Sequence, residues 1–101
     1  MSIAIVIPML NEAAALPRLA RCLAALEPRP AEILCVDGGS TDATWAIARA
    51  HADQVLLAPR GRAAQMNAGA RASTAEVLLF LHADTLLPPQ ADALIQQALA
   101  P

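Results

Sequence analysis

Four short apolar runs alternate with four helix-like stretches, and every connection is brief. This beat constrains the fold more than any single residue does. Ile3–Ile7 is continuous and largely β-branched, the pattern of a strand buried on both faces. Pro8 is expected to end it. A first helix follows, with Leu16, Leu19, Leu23 and Leu26 as its apolar stripe and Pro17 in its first turn, where a missing N–H costs little. The Pro28–Pro30 pair stops it. Glu32–Asp37 is expected as the second strand, Gly38-Gly39-Ser40 as a turn, and Thr41–Ala52 as the second helix. Ser40 or Thr41 is its expected cap, and Asp42 suits the positive end of the helix dipole. Gln54–Ala58 is the third strand, and Pro59–Arg62 a loop. A third helix then runs to about Ala72 despite Gly69 in its interior. Glu76–His82 is the fourth strand, and Gln90–Ala100 the last helix after Pro88-Pro89. The order βαβαβαβα, with connections this short, requires crossover helices. It predicts an α/β fold: a parallel sheet of four strands with helices on both faces.

Composition narrows the class. A chain of 101 residues holds one domain, and 56% hydrophobic against 16% charged residues excludes disorder. No apolar run approaches the ~20 residues of a membrane span, and no basic stretch precedes an early apolar one. The expectation is a soluble, cytoplasmic globule without a transmembrane segment. A net charge of −2 gives no footing for nucleic acid or an anionic membrane. All seven basic residues are Arg. Without Lys, a phosphate-loop lysine, a Schiff base and a receiver-type signalling domain are set aside. The Pro8–Glu12 segment lacks the G-x-G-x-x-G of dinucleotide-binding domains. Cys22 and Cys35 sit in apolar runs without metal-ligand spacing and read as buried, reduced thiols.

In a parallel sheet all strand ends share one rim, and ligands bind there, where the strand order reverses. The polar, non-helical residues collect on that rim. Pro8-Met9-Leu10-Asn11-Glu12 follows the first strand and Asp37-Gly38-Gly39-Ser40-Thr41-Asp42 the second. Pro59-Arg60-Gly61-Arg62 follows the third and His82-Ala83-Asp84-Thr85 the fourth. Each has a plain structural reading beside the functional one. Asp37 is either a turn residue or a ligand acceptor, and Asp42 reads first as a helix-start residue. Arg60 and Arg62 form either a solvated loop or a phosphate contact, for which Arg and an intervening Gly are well suited. Asp84 ends an apolar strand, where a carboxylate calls for a cation or donors. His82 is either a plain strand-end residue or part of the site, and His51 reads as structural.

The set Ile5-Val6-Ile7-Pro8 with Asn11-Glu12, Val36-Asp37-Gly38-Gly39-Ser40 with Asp42, and His82-Ala83-Asp84 resembles the family-2 glycosyltransferases of the GT-A fold. The Pro59–Gly69 and Leu81–Thr85 segments are similar to one bacterial subgroup, the radical-SAM/selenodomain-associated transferases. The resemblance implies a nucleotide-diphosphate-sugar site made of Pro8, Leu10, Glu12, Asp37, Arg60, Arg62, His82, Ala83 and Asp84. In it Pro8 and Glu12 hold base or ribose, and Asp37 accepts from the base. Asp84 matches the last Asp of the family's DxD motif, the metal ligand. The implied cofactor is a divalent cation, Mg²⁺ or Mn²⁺, which takes few carboxylates and several phosphate oxygens. The chain departs from the family at three of these places: Leu10 replaces a base-stacking Tyr, Gly38 a frequent second Asp, and His82 the first Asp of DxD.

The resemblance also implies a second half carrying the acceptor pocket and the general base, so no catalytic residue is assigned within these residues. The expectation is a single, truncated donor-binding domain, inactive alone. The alternative is a nucleotide-binding module or pseudo-enzyme without transfer. Val77–Leu81 is apolar on both faces yet falls at the edge of a four-stranded sheet in the order 3-2-1-4 that the resemblance implies. Self-association through that edge is therefore expected.

Overall fold

The computed structural model describes residues 2–27, 29–85 and 87–99. Pro28, expected in the first helix stop, and Ala100, the expected end of the last helix, lie outside them. The elements run β1 (Ile3–Met9), α1 (Leu16–Ala24), β2 (Glu32–Asp37), α2 (Thr44–His51), β3 (Gln54–Leu57), α3 (Arg62–Ala72), β4 (Val77–Phe80) and α4 (Ala91–Leu99). All pairings are parallel, in the order β3-β2-β1-β4. The expected α/β architecture is what the chain adopts.

The two faces of β1 follow from the period of two in a strand. Ile5, Ile7 and Met9 point into a core with Leu16, Leu19 and Leu23 of α1, Ala48 of α2 and Ala91 of α4. Ala4 and Val6 point the other way, with Leu34 and Val36 of β2, against Ala68 and Ala72 of α3. Helices therefore cover both faces. Cys35 lies in the first core, where burial pushes its thiol up to about 12. Both cysteines are free.

Gly69 explains itself in the second core. A Cβ there would come within 2.4 Å of Val6 Cγ1 and 3.2 Å of Val36 Cγ2. The glycine lets α3 lie directly on the sheet, and its helix-weakening effect is accepted for that closeness.

Several boundaries shift, each for a physical reason. Pro8 does not end β1, which continues to Met9. Met9 accepts from Gly38 N across the β2 ladder, whereas Val6 accepts from Leu81 N on the β4 side. By alternation Pro8 faces β4, whose pairing with β1 stops at Val6↔Phe80. Its missing N–H therefore falls where no ladder partner stands. β3 and β4 end earlier than expected, at Leu57 and Phe80, and α2 starts at Thr44 rather than Thr41. The apolar stripe of α1 outlasts the helix, because Leu26 stays buried two residues past Ala24.

Candidate functional site

The strand order places four loops side by side on the carboxyl rim, those after β3, β2, β1 and β4 in turn. The chain steps outward from β1 to β3 and then returns to the other side of β1. The strand order thus reverses between β1 and β4, the place on such a rim where ligands generally bind. Asp37 ends β2, opposite Met9 of β1, and Asp84 lies in the turn beyond β4. Only β1 separates their strands, which puts those strands about 10 Å apart at the usual inter-strand spacing. Both carboxylates belong to one rim.

Asp37 is only 2% exposed. Its Oδ1 accepts from Gly39 N (3.1 Å), Ser40 N (2.9 Å) and Ser40 Oγ (2.7 Å). The turn-forming role of Asp37 is thus realised, and Gly39 takes the positive φ of 100° that the turn requires. All three bonds fall on Oδ1. Oδ2 is left as the oxygen the turn does not use.

Ser40 and Thr41 do not cap α2, contrary to expectation. Ala43 holds the cap position without a side-chain hydrogen bond. The hydroxyls and carboxylates face the β1 loop instead. Ser40 Oγ accepts from Asn11 N at 2.9 Å, and Asn11 Oδ1 accepts from Thr41 N at 2.8 Å. Thr44 Oγ1 accepts from Glu12 N at 2.7 Å and donates to Asp42 Oδ1, which also accepts from Thr44 N at 2.9 Å. Asp42 Oδ2 accepts from Ala13 N at 3.4 Å. The hydrogen bonds from the Thr44 hydroxyl and amide hold the Asp42 carboxyl below its ordinary range. Asn11, at φ 51°, turns the β1 loop so that its amide and side chain both meet the β2 loop. Two rim loops distant in sequence are thereby zipped together, and the zip fixes the backbone under Leu10 and Glu12, both half-buried.

The third loop is fastened by a residue to which sequence reasoning gave no role. Gln65 is 5% exposed. Its Nε2 donates to Met9 O and Val36 O, both at 2.9 Å, and its Oε1 accepts from Gly61 N at 3.2 Å. Gly61 sits between Arg60 and Arg62 with φ 142°. Both arginines are exposed, and among the described residues the recorded ion pair is Arg29–Asp53, elsewhere on the fold. A signal for Gln65 existed. Gln65, Ala68, Gly69 and Ala72 share one helical stripe, and a lone polar residue on a buried stripe needs buried partners.

The fourth loop turns at His82, where Thr85 N donates to His82 O at 3.0 Å. Ala83 is buried in the core, whereas His82 and Asp84 are exposed. The loop is backed by Cys22 of α1: its Sγ donates to Leu87 O and accepts from Leu87 N, both at 3.1 Å. Among the described residues no group of three or more His, Cys, Asp or Glu side chains is placed to hold a metal alone. The exposed carboxylate of Asp84 could hold a hard cation only if most of the oxygen ligands came with a bound molecule. Pro8 is half-buried, near the carboxyl end of β1. The structure thus brings all nine expected residues to one rim, with Asp37 and Ala83 buried and the charged Arg60, Arg62 and Asp84 facing solvent.

A parallel α/β sheet whose polar loops gather at a reversal of strand order is of the doubly wound class, which binds ligands at that rim. Residues 4–100 match the model of glycosyl transferase family 2, and the chain belongs to that family. It is 37% identical over 84 residues to an uncharacterized glycosyltransferase of Mycobacterium tuberculosis (strain ATCC 25618 / H37Rv), covering 82% of this chain and 37% of that one. The same figures hold for an uncharacterized glycosyltransferase of Mycobacterium bovis. The chain thus spans a little over a third of the length of these relatives. Among solved structures, the mannosyltransferase PcManGT of Pyrobaculum calidifontis, in complex with GDP-Man and Mn²⁺, superposes with a TM-score of 0.78 at 25% identity. That match covers 98% of this chain and 32% of the other. S. aureus TarS 1-349 in complex with UDP gives 0.77 at 22% identity, covering 97% and 31%. The fold is that of the GT-A glycosyltransferases.

Proposed function

We propose that this chain binds the nucleotide-diphosphate-sugar donor of a glycosyl transfer to an acceptor that the remainder of a longer enzyme would select. The observation that carries this reading is the single rim shared by the Asp37 and Asp84 loops, with the reversal of strand order between β1 and β4 at its centre. The donor classes seen with the structural relatives, UDP and a GDP-sugar, support it.

In this reading Asp37 Oδ2 accepts from the base, while Pro8, Leu10 and Glu12 line the base and ribose side. Leu10 offers apolar contact in place of an aromatic stack. Arg60 and Arg62 meet the diphosphate, to which the guanidinium fork is matched. His82 and Ala83 line the floor beside Asp84. Asp84 would hold Mg²⁺ or Mn²⁺, which the Mn²⁺ of a structural relative supports. When bound, such a cation neutralises charge on the departing diphosphate. The protein's own share is to orient the donor and keep its phosphates beside fixed positive charge. Two free thiols suit a cytoplasmic setting.

Calorimetry tests the reading. UDP and GDP are titrated with and without Mn²⁺ into wild type and Asp84→Ala. Metal-dependent binding that Asp84→Ala abolishes is expected, and equal binding with or without metal overturns the role of Asp84. Incubation with a UDP-sugar should leave the donor intact, because on this reading the acceptor side belongs to the remainder of the enzyme, and a released sugar would overturn that division of labour.

A further inference from the structure

We propose that Gln65 and Gly38 form a matched pair that locks the Arg60–Arg62 loop onto the carboxyl ends of β1 and β2, and that this lock positions the donor site. The inference rests on the donor-site reading and assigns Gln65 as a positioning residue for it.

Gln65 has two N–H donors and one carbonyl acceptor, and all three functions are used on backbone. Met9 O lies one residue before Leu10, and Val36 O one residue before Asp37. Gly61 N lies between the two arginines. One side chain therefore ties together the base side of the rim and its phosphate side. Met9 O also accepts from Gly38 N at 3.0 Å, so Gly38 and Gln65 share an acceptor.

The amide of Gln65 also occupies the space that a side chain at position 38 would need. A Cβ on Gly38 would stand 2.8 Å from Gln65 Oε1, 3.0 Å from Cδ and 3.1 Å from Nε2. A surface side chain would swing aside, but Gln65 is held by three hydrogen bonds and is almost wholly buried. Any residue larger than glycine at 38 must break the lock. The two positions are therefore coupled, and neither tolerates change while the other stays as it is.

A double-mutant cycle tests the pair. Gln65→Ala, Gly38→Ala and the double variant are titrated with UDP and GDP in the presence of Mn²⁺. Trp45 fluorescence confirms that each is folded at the temperature used. Amide exchange at Gly61 is followed by NMR without ligand. Gln65→Met is included because it keeps the side-chain volume while losing all three bonds.

Either Gln65 variant should bind about tenfold more weakly and expose Gly61 to exchange about tenfold faster, the scale of lost buried hydrogen bonds. Gly38→Ala should do the same in the wild-type background and add little once Gln65→Ala has emptied the space. Wild-type affinity and wild-type Gly61 exchange in a folded Gln65→Met overturn the lock, and strict additivity overturns the pairing. Failure of wild type itself to bind either nucleotide overturns the donor-site reading and the positioning role with it. Gly61 exchange then still decides whether the lock exists.

Discussion

The amide of Glu12 donates to the hydroxyl of Thr44 at 2.7 Å, and Thr44 is wholly buried. One short side chain on α2 thus fixes a loop that leaves β1, thirty-two residues earlier in the chain. Thr44→Val keeps the shape and removes both the acceptor for Glu12 N and the donor to Asp42. Leaving such groups unpaired costs about 1–3 kcal/mol, to be read as a lower midpoint in urea denaturation. Since Thr44 ties the Glu12 amide to α2 while the Glu12 carbonyl accepts only from Ala15 N and Leu16 N nearby in the chain, the variant should also weaken nucleoside diphosphate binding in calorimetry. A stable variant with a mobile 11–15 loop would show the hydroxyl to be dispensable to the fold.

Asp42 gives the fold an acid-sensitive stitch. Its carboxyl is held low by the Thr44 hydroxyl first and the Thr44 amide second, with the Ala13 amide adding to them. A folded value below the unfolded one means stabilisation that is present above the unfolded value and lost as pH falls through the folded one. Urea midpoints followed by Trp45 fluorescence should therefore fall on acidification below about pH 4. Asp42→Asn should be less stable at neutral pH and lose less than wild type over that acid window. Parallel curves for the two proteins would remove Asp42 from the acid response.

Much of this was legible in the residues, and the division has a physical origin. β1 and β2 declare themselves because they are buried on both faces, and a run such as Ile3–Ile7 can be little else. Four apolar runs joined by short helices require a parallel sheet with a shared rim, whereas the order 3-2-1-4 was legible only through the family resemblance. Local pattern misled where a side chain found its partner across the fold. Ser40 and Thr41 look like helix caps, but their partner is Asn11, about thirty residues away. Pro8 looks like a stop, yet it faces the one part of the ladder that has no partner strand. Gln65 sat inside a motif without a role because its three acceptors and donors lie on β1, β2 and a loop.

Gly69 sets helix propensity against packing. Replacing an interior helical glycine with alanine normally gains about 1 kcal/mol. At Gly69 the added methyl would meet Val6 Cγ1 at 2.4 Å, and Val6 is fully buried. Overpacking of this kind costs typically about 1–3 kcal/mol, so the clash outweighs the propensity gain. Gly69→Ala should be destabilised by up to about 2 kcal/mol net in urea denaturation. It should be rescued in part by Val6→Ala, which removes the facing methyls. A stabilised Gly69→Ala would mean that α3 lifts from the sheet at no cost.

The β4 edge carries the last expectation. Val77 N donates to Ser2 O and Leu81 N to Val6 O, both at 3.0 Å. By alternation the N–H and C=O groups of Leu78 and Phe80 point away from β1, toward open space. Neither a Lys nor a Pro blunts this edge, and Phe80 is 37% exposed. Two copies running antiparallel about Leu79 would set Leu78 of each opposite Phe80 of the other. Both residues would exchange their outward N–H and C=O bonds, and the aromatic ring would gain an aliphatic neighbour. The isolated chain should therefore sediment as a dimer or larger species at micromolar concentration. Leu78→Pro is the discriminating variant. It removes an N–H that faces outward and leaves the ladder to β1 intact, so it should yield a folded monomer. Wild type that sediments as a monomer throughout would show that the exposed edge does not draw a second copy.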